Sequence, residues 1–392
     1  MIFGLIENIK GISYPLIKLE FSASWEQQGF MVSILSMAYV SFCIIAGLFL
    51  GRFGIKPSFL FGFAALGIGL LSVFFMPGFY STIASLFIIF AGFGFFEVGL
   101  NALASRLFIA KTAMLMNLLH SFYGIGAILG PKAAGIIANN EKFSWRHVYL
   151  FSLPLALLFF ITSVFSRFPE KKLPPGGKDK TTAARPGFFD ALRSPMVWLF
   201  AVILGLAVIV EMNSANWGPL YFKDVYGFDP GTKGAGFLSA FFLVFTVSRL
   251  VCGPFVEKIG YIRTLLIVSV STLVVFITGF FIGANGIYIL PALGFFIALL
   301  WPTIMATAVV TFGENAAVYS SAIIAMSGLI NAAVQFLIGI TNKILGPAWG
   351  YRSSMVYTLL LILMIMILHH KLKNTKTYSG NLSHMNANRL PD

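Results

Sequence analysis

The chain has 392 residues, of which 58% are hydrophobic and only 10% charged, and its formal net charge is +13. A soluble domain carries about 25% charged residues, and one with this composition would expose too much apolar surface to stay in water. The basic residues lie in short loops and the tail rather than in one patch, which argues against a nucleic-acid partner.

Apolar runs of about 20 residues can cross a bilayer as helices. In chain order they fall near 2–20, 28–50, 57–77, 81–104, 114–138 and 147–167, then near 196–220, 234–256, 261–283, 286–310, 316–341 and 349–370. The expected fold is an all-α polytopic membrane protein, with twelve transmembrane helices in two pseudo-symmetric six-helix bundles. The first span is the weakest, because Glu7, Asn8 and Lys10 interrupt it. It lacks the basic flank of a cleavable signal. So little chain precedes it that an upstream start codon is left open.

Between spans 6 and 7 lies a polar stretch with Pro174, Pro175, Gly176, Gly177 and several lysines, which cannot bury itself. The expected organisation is a first bundle over 1–168, a linker over 169–194, a second bundle over 195–371 and a disordered tail over 372–392. Seventeen lysines and arginines fall on the linker side and seven on the other. Basic residues concentrate on the cytoplasmic side, so the linker and both termini are expected in the cytoplasm, with the chain in the cell membrane. Cys43 and Cys252 sit in apolar runs and read as small buried side chains. No metal or cofactor is expected.

One loop recurs. Gly47-Leu-Phe-Leu-Gly51-Arg52-Phe-Gly54-Ile-Lys56 follows span 2, and Gly253-Pro-Phe-Val-Glu257-Lys258-Ile-Gly260-Tyr-Ile-Arg263 follows span 8, 206 residues later. Glycines allow a tight turn close to neighbouring helix ends, and basic side chains suit the negative carbonyl ends of helices. The repeat points to duplication of a six-helix unit. It makes Arg52, Gly54, Lys56, Glu257, Lys258, Gly260 and Arg263 candidate gating residues.

An ionisable side chain in mid-membrane costs about 3 kcal/mol on insertion scales and is a functional candidate by default. A carboxylate held away from water can load and release a proton near neutral pH, so Glu97, Glu211 and Glu7 are candidates for proton coupling. Asn101 lies one helical turn from Glu97, and Asn117 and His120 share a face of span 5. Glu7 and Lys10 can neutralise each other, or Glu7 can face a cavity. In span 7, Asn213, Trp217 and Tyr221 form a stripe, with Glu211 about 200° from Asn213 around a regular helix. Asn216 lies close by. A break at Pro219 would alter that geometry. Span 11 carries Ser327, Asn331 and Gln335 at spacing four, and Trp301-Pro302-Thr303 suggests a kink in span 10. Amides donate and accept at once, which suits sugar hydroxyls, and tryptophan faces suit a pyranose. The same stripe can instead bind helices together.

The repeated loop resembles the signature of the major facilitator superfamily, Gly-x-x-x-Asp-Arg/Lys-x-Gly-x-Lys/Arg. The acidic position is Gly51 in one half and Glu257 in the other, so contacts of that aspartate do not carry over to the first half. The runs Gly94-x-x-Glu97-x-x-x-Asn101, Met116-Asn117-Leu-Leu-His120, Glu211-x-Asn213-x-x-Asn216 and Trp301-Pro302-Thr303 are similar to the fucose:proton and glucose/mannose symporter branch. The resemblance implies that Glu97 couples protons and that His120 stands where relatives keep a glutamine near the sugar. Those relatives have a second acid in span 1 where this chain has Gly11, with Glu7 one turn earlier. Gly126-Ala-Ile-Leu-Gly130-Pro131-Lys-Ala-Ala134-Gly135 instead resembles a span 5 motif of proton-driven efflux antiporters.

The expected function is secondary active transport rather than enzymatic catalysis. The first reading is proton symport of a sugar or similar small polar solute by a monomer. Candidate solute-binding residues are Asn101, Asn117, His120, Asn213, Asn216, Trp217, Trp301, Asn331 and Gln335. Export of a drug or metabolite by proton antiport is the second reading, and a non-transporting membrane sensor the third.

Overall fold

The computed structural model describes residues 1–107, 112–168 and 188–373, with side chains throughout except at 105–106, 112–121, 314 and 317. Most of the linker and nearly all of the tail therefore lie outside the described residues. All regular structure among the described residues is helical. In the first half the helices are α1 (Ile2–Asn8), α2 (Lys10–Glu20), α3 (Trp25–Phe53), α4 (Ile55–Phe75), α5 (Phe79–Leu107), α6 (Thr112–Ala138) and α7 (Trp145–Phe165). A short α8 (Phe188–Ala191) precedes α9 (Pro195–Asn216), α10 (Gly218–Tyr226), α11 (Ala235–Val251), α12 (Gly253–Ile259) and α13 (Tyr261–Phe281). The chain ends with α14 (Gly286–Ile289), α15 (Leu293–Ile297), α16 (Leu300–Phe312), α17 (Ala316–Leu345), α18 (Trp349–Arg352) and α19 (Ser354–Lys373). Among the described residues, ten helical segments are long and apolar enough to cross a membrane, and Phe122–Ala138 is a shorter apolar one. Leu48, Ile68, Phe165 and Phe281 are among the large apolar side chains left exposed, as a lipid-facing surface requires.

The first span departs from the single helix expected over 2–20. It breaks at the buried Ile9 into pieces of 7 and 11 residues. The partners of the two pieces differ: α1 packs chiefly on α6, whereas α2 packs on α10, the π-helical turn Pro230–Gly234 and α9 as well as on α6. Span 7 breaks as well, at Trp217, just ahead of Pro219 in the first turn of α10. Span 10 is interrupted at Ala298–Leu299, shortly before the Trp301-Pro302 pair that suggested a kink. Broken helices inside a bundle are tolerated where protein covers the freed backbone.

Within the first half, α4 packs on α5 and α7, and α3 on α5; within the second, α9 packs on α17 and α19, and α11 on α15. Across the halves, α3 meets α17 and α6 meets α11. These crossings are glycine seams: backbone of Gly339 occupies the space of a Cβ at Gly29, Gly231 does so at Gly135, and the Thr246 side chain at Gly124. Polar ties also join the halves on the side away from the linker. Asn139 donates to Asp229 at 2.8 Å, Lys18 lies 3.6 Å from Asp224, and Glu26 pairs with Lys343. Among the described residues, α5 and α16 pack extensively only within their own halves. The molecule is thus closed on the far side.

Candidate functional site

The break in the first span creates a polar centre between the halves. Lys10, at the start of α2, is buried and donates to Glu7 Oε1 at 3.0 Å across the break. The Tyr123 hydroxyl of α6 donates to the other Glu7 oxygen, and Asn8 donates to Tyr123 Oη at 3.4 Å. Pairing lets a lysine and a glutamate share a site that neither could occupy alone. Lys10 Nζ also reaches across the halves, to 3.9 Å from Met212 Sδ of α9. Its neighbour Glu211 is half-buried and feels the charges of Arg249, Glu7 and Lys10.

Glu97 lies on α5, where Asn101 donates to its carboxylate at 2.9 Å and to its backbone carbonyl at 3.0 Å. Tyr39 and Cys43 of α3 lie within its electrostatic reach, as does Glu7. The Phe3 ring packs on Phe93, Tyr123 and Phe96 at centroid distances of 4.8, 5.4 and 6.0 Å, an apolar layer beside these polar groups. Glu7, Lys10, Glu97, Glu211 and Arg249 thus bring three carboxylates and two cations from five helices into one region. Such a set can bind, hand over and neutralise a proton in a membrane interior. The side chains of Asn117 and His120 lie outside the described ones.

The second-half amides are joined to one another. Trp217 Nε1 donates to Gln335 Oε1 at 2.7 Å, and Gln335 Nε2 donates to Asn331 at 3.1 Å and Asn213 at 3.2 Å. Asn213 donates to Ser354 Oγ of α19 at 3.0 Å. All are buried, and the network ties α9 to α17 and α19. Asn213 therefore faces into its own half while Glu211 faces the first half, as their angular separation on an unbroken α9 requires. Pro219 breaks the span beyond both. Asn216 is buried, and its side-chain amide oxygen Oδ1 has no partner among the described residues. Trp301, at the start of α16, is exposed.

The repeated loops adopt matching turns. Gly54 links α3 to α4 with φ +87°, and Gly260 links α12 to α13 with φ +90°. Lys56 donates to the Val164 carbonyl at 2.6 Å and to Ser166 at 3.2 Å, holding the carbonyl end of α7. Glu257 accepts from the Tyr261 hydroxyl at 3.0 Å. Arg52, Lys258 and Arg263 are exposed. The glycines of the span 5 motif serve packing: α1 backbone lies against Gly126 and Gly130, and Gly231 against Gly135.

Sequence reasoning missed Arg249 and Tyr123. Arg249 is half-buried, anchored by Nε to the Ala298 carbonyl at 3.4 Å and stacked 4.2 Å from the Phe245 ring centre. An arginine inside an expected span was the available signal. Nothing local marked Tyr123, whose role comes from helix pairing.

Comparisons with known proteins agree on the architecture. The E. coli fucose:proton symporter superposes with a TM-score of 0.63 at 17% identity, covering 93% of this chain and 95% of that one. A nucleoside transporter gives 0.76 at 12% identity over 93% and 96% of the two chains. A bacterial homolog of the human lysosomal transporter Spinster, inward-facing and unoccupied, gives 0.71 at 14% identity over 100% and 98%. At these identities the likeness is one of fold. In sequence, "Bypass of stop codon protein 6" of Saccharomyces cerevisiae is 23% identical over 294 residues, 65% of this chain and 57% of that protein. The chain thus spans just over half of that relative's length. Residues 1–333 match the family model of the Major Facilitator Superfamily, and the chain is a member of that superfamily.

Proposed function

We propose that the chain is a proton-coupled symporter of a sugar or a similar small polar solute, working by alternating access between bundles 1–168 and 195–371. The observation that carries this reading is the convergence of Glu7, Glu97 and Glu211 on one region where the halves meet. Burying three carboxylates beside only two cations is costly, and a site that takes up a proton meets that cost. We assign proton coupling to Glu97 first, with Glu7 and Glu211 as its partners. Solute contact goes to Asn101, Asn117, His120, Asn216 and Trp301. Asn213, Trp217, Asn331 and Gln335 stand behind them, holding α9 against α17 and α19. The gating residues Arg52, Gly54, Lys56, Glu257, Lys258, Gly260 and Arg263 line the loops that move as the bundles rock.

The basic linker side is the cytoplasmic one in this reading, so far-side closure corresponds to an inward-facing state of a monomer. Two solved neighbours described as symporter and nucleoside transporter support a small polar solute. Efflux draws support from the 126–135 motif, whose glycines are already accounted for by packing. The test is pH-gradient-driven uptake of a radiolabelled sugar panel in proteoliposomes. Wild type should accumulate solute uphill, and Glu97→Gln should keep downhill exchange but lose accumulation. A Glu97→Gln variant that accumulates solute as well as wild type removes Glu97 as proton carrier. Expulsion of lipophilic cations without sugar uptake selects the efflux reading.

A further inference from the structure

Glu211 and Arg249 are the strongest charged neighbours of one another, yet no ion pair within 4.0 Å joins them. Both are half-buried, on α9 and α11 of the second half. Among the described residues Glu211 has no hydrogen-bond partner, and Arg249 uses only Nε, on the Ala298 carbonyl at 3.4 Å. That carbonyl stands where span 10 breaks, so it is free of regular helix bonding and available to the guanidinium. The Phe245 ring covers one face at 4.2 Å. The next residue in the chain direction toward the far side, Ser248, donates to the Phe295 carbonyl at 2.6 Å and fixes the same turn of α11. The guanidinium is therefore anchored at one edge and one face, with its two terminal nitrogens left to act as a fork. Planar, pre-oriented forks of this kind suit a carboxylate, which takes two parallel charge-assisted hydrogen bonds.

The position is also apt. Arg249 follows Thr246 by one turn, and Thr246 is where α11 presses on Gly124 of α6. The fork thus lies on the linker side of the last close crossing between the halves. Among the described residues, the first-half groups within electrostatic reach are Tyr123 of α6 for Arg249, and Glu7 of α1 and Lys10 of α2 for Glu211. Lys10 is already matched by Glu7, so among the described residues of this region Arg249 is the cation with no ion pair within 4.0 Å.

We propose that Arg249 is a specificity-determining residue that receives a carboxylate on the transported solute, making a sugar acid rather than a neutral sugar the preferred class. The inference rests on the symport reading and sharpens it. When the solute carboxylate takes the fork, the positive charge that favours ionised Glu211 is neutralised. Glu97 then takes one proton from the adjoining water and passes it to Glu211, which faces Glu7, Lys10, Tyr123 and the occupied Arg249. One anion and one proton move together, so the loaded carrier gains no net charge.

The experiment uses the full chain in proteoliposomes with radiolabelled D-glucuronate and D-glucose, under an imposed pH gradient or an imposed membrane potential. Glucuronate uptake should exceed glucose uptake, follow the pH gradient and ignore the potential. Arg249→Gln should weaken glucuronate uptake by about 30-fold, the loss of a bidentate charged contact. Arg249→Lys keeps the charge but not the fork and should lose about 10-fold. It also provides a folded control if Arg249→Gln fails to fold. Uphill glucose or fucose uptake without glucuronate uptake would overturn the carboxylate assignment and leave symport standing. Unchanged glucuronate affinity in both variants would overturn the role of Arg249 alone. A pH gradient that drives neither solute removes the symport reading and this inference with it.

Discussion

Gly54 and Gly260 both combine a positive φ with an extended ψ, +87°/−176° and +90°/146°, at equivalent turns of the two halves. Nothing lies within 4 Å of where a Cβ would stand at either position. The requirement is therefore dihedral rather than steric. Alanine at either site should cost about 1–3 kcal/mol, and asparagine should bring no relief, because positive φ with extended ψ is open essentially to glycine alone. Thermal unfolding of the purified protein in detergent checks it, and equal losses at the two sites are expected.

Removing one member of the buried Glu7–Lys10 pair leaves an uncompensated charge. Lys10→Met should destabilise the protein by about 3 kcal/mol, and Glu7→Gln together with Lys10→Met should recover most of that loss. A double-mutant cycle on detergent melting curves measures the coupling. Simple additivity would show that the 3.0 Å contact carries no energy.

Gln335 satisfies Trp217, Asn213 and Asn331 at once. Gln335→Leu strands a buried indole N–H and removes the donor from two buried amide oxygens, at about 2 kcal/mol or more. The near-ultraviolet circular dichroism of tryptophan should change with it. Gln335→Glu keeps the acceptor for Trp217 but loses the amide donor, so it should retain the indole signal while still losing stability.

Far-side closure is open to a direct chemical test. Cysteines at Asn139 and Asp229, with Cys43 and Cys252 replaced by serine, should cross-link on oxidation and stop transport, and reduction should restore it. The native tie has a defined pH range. Burial alone would raise the Asp229 carboxyl, but hydrogen bonds from Asn139 and Thr232 prevail and hold it below the ordinary value of 3.8. A depressed carboxyl stabilises the closed form at pH above its ordinary value and loses that contribution as pH falls through the depressed one. Distances between spin labels at Lys142 and Lys233 should therefore stay constant from about pH 8 to about pH 5.

The spans were legible because lipid demands long apolar runs, which leaves most of the helical content written in composition. The turns at Gly54 and Gly260 were legible because each needs a glycine at a fixed place in a repeated loop. Asn101 beside Glu97 followed from helical spacing alone. Other features depend on partners far apart in sequence. The break at Ile9 is one: Glu7, Asn8 and Lys10 marked the first span as weak there, but not which helices each piece would meet. Arg249 was visible as a charge in an apolar run, but its anchor is a carbonyl 49 residues away, freed by a helix interruption. Polar stripes gave the face of Asn331 and Gln335 without telling whether solute or another helix lay opposite.

The joint at Ile9 assigns the first span to two masters. Its N-terminal piece rides with α6 of the first half, and its C-terminal piece bridges α6 and α7 of the first half to α9 and α10 of the second. A rotation of one half against the other therefore loads the first span around this joint. Glu7 and Lys10, placed on opposite banks of it, then serve as a built-in caliper: the separation of their charges reports, and can resist, the angle between the halves.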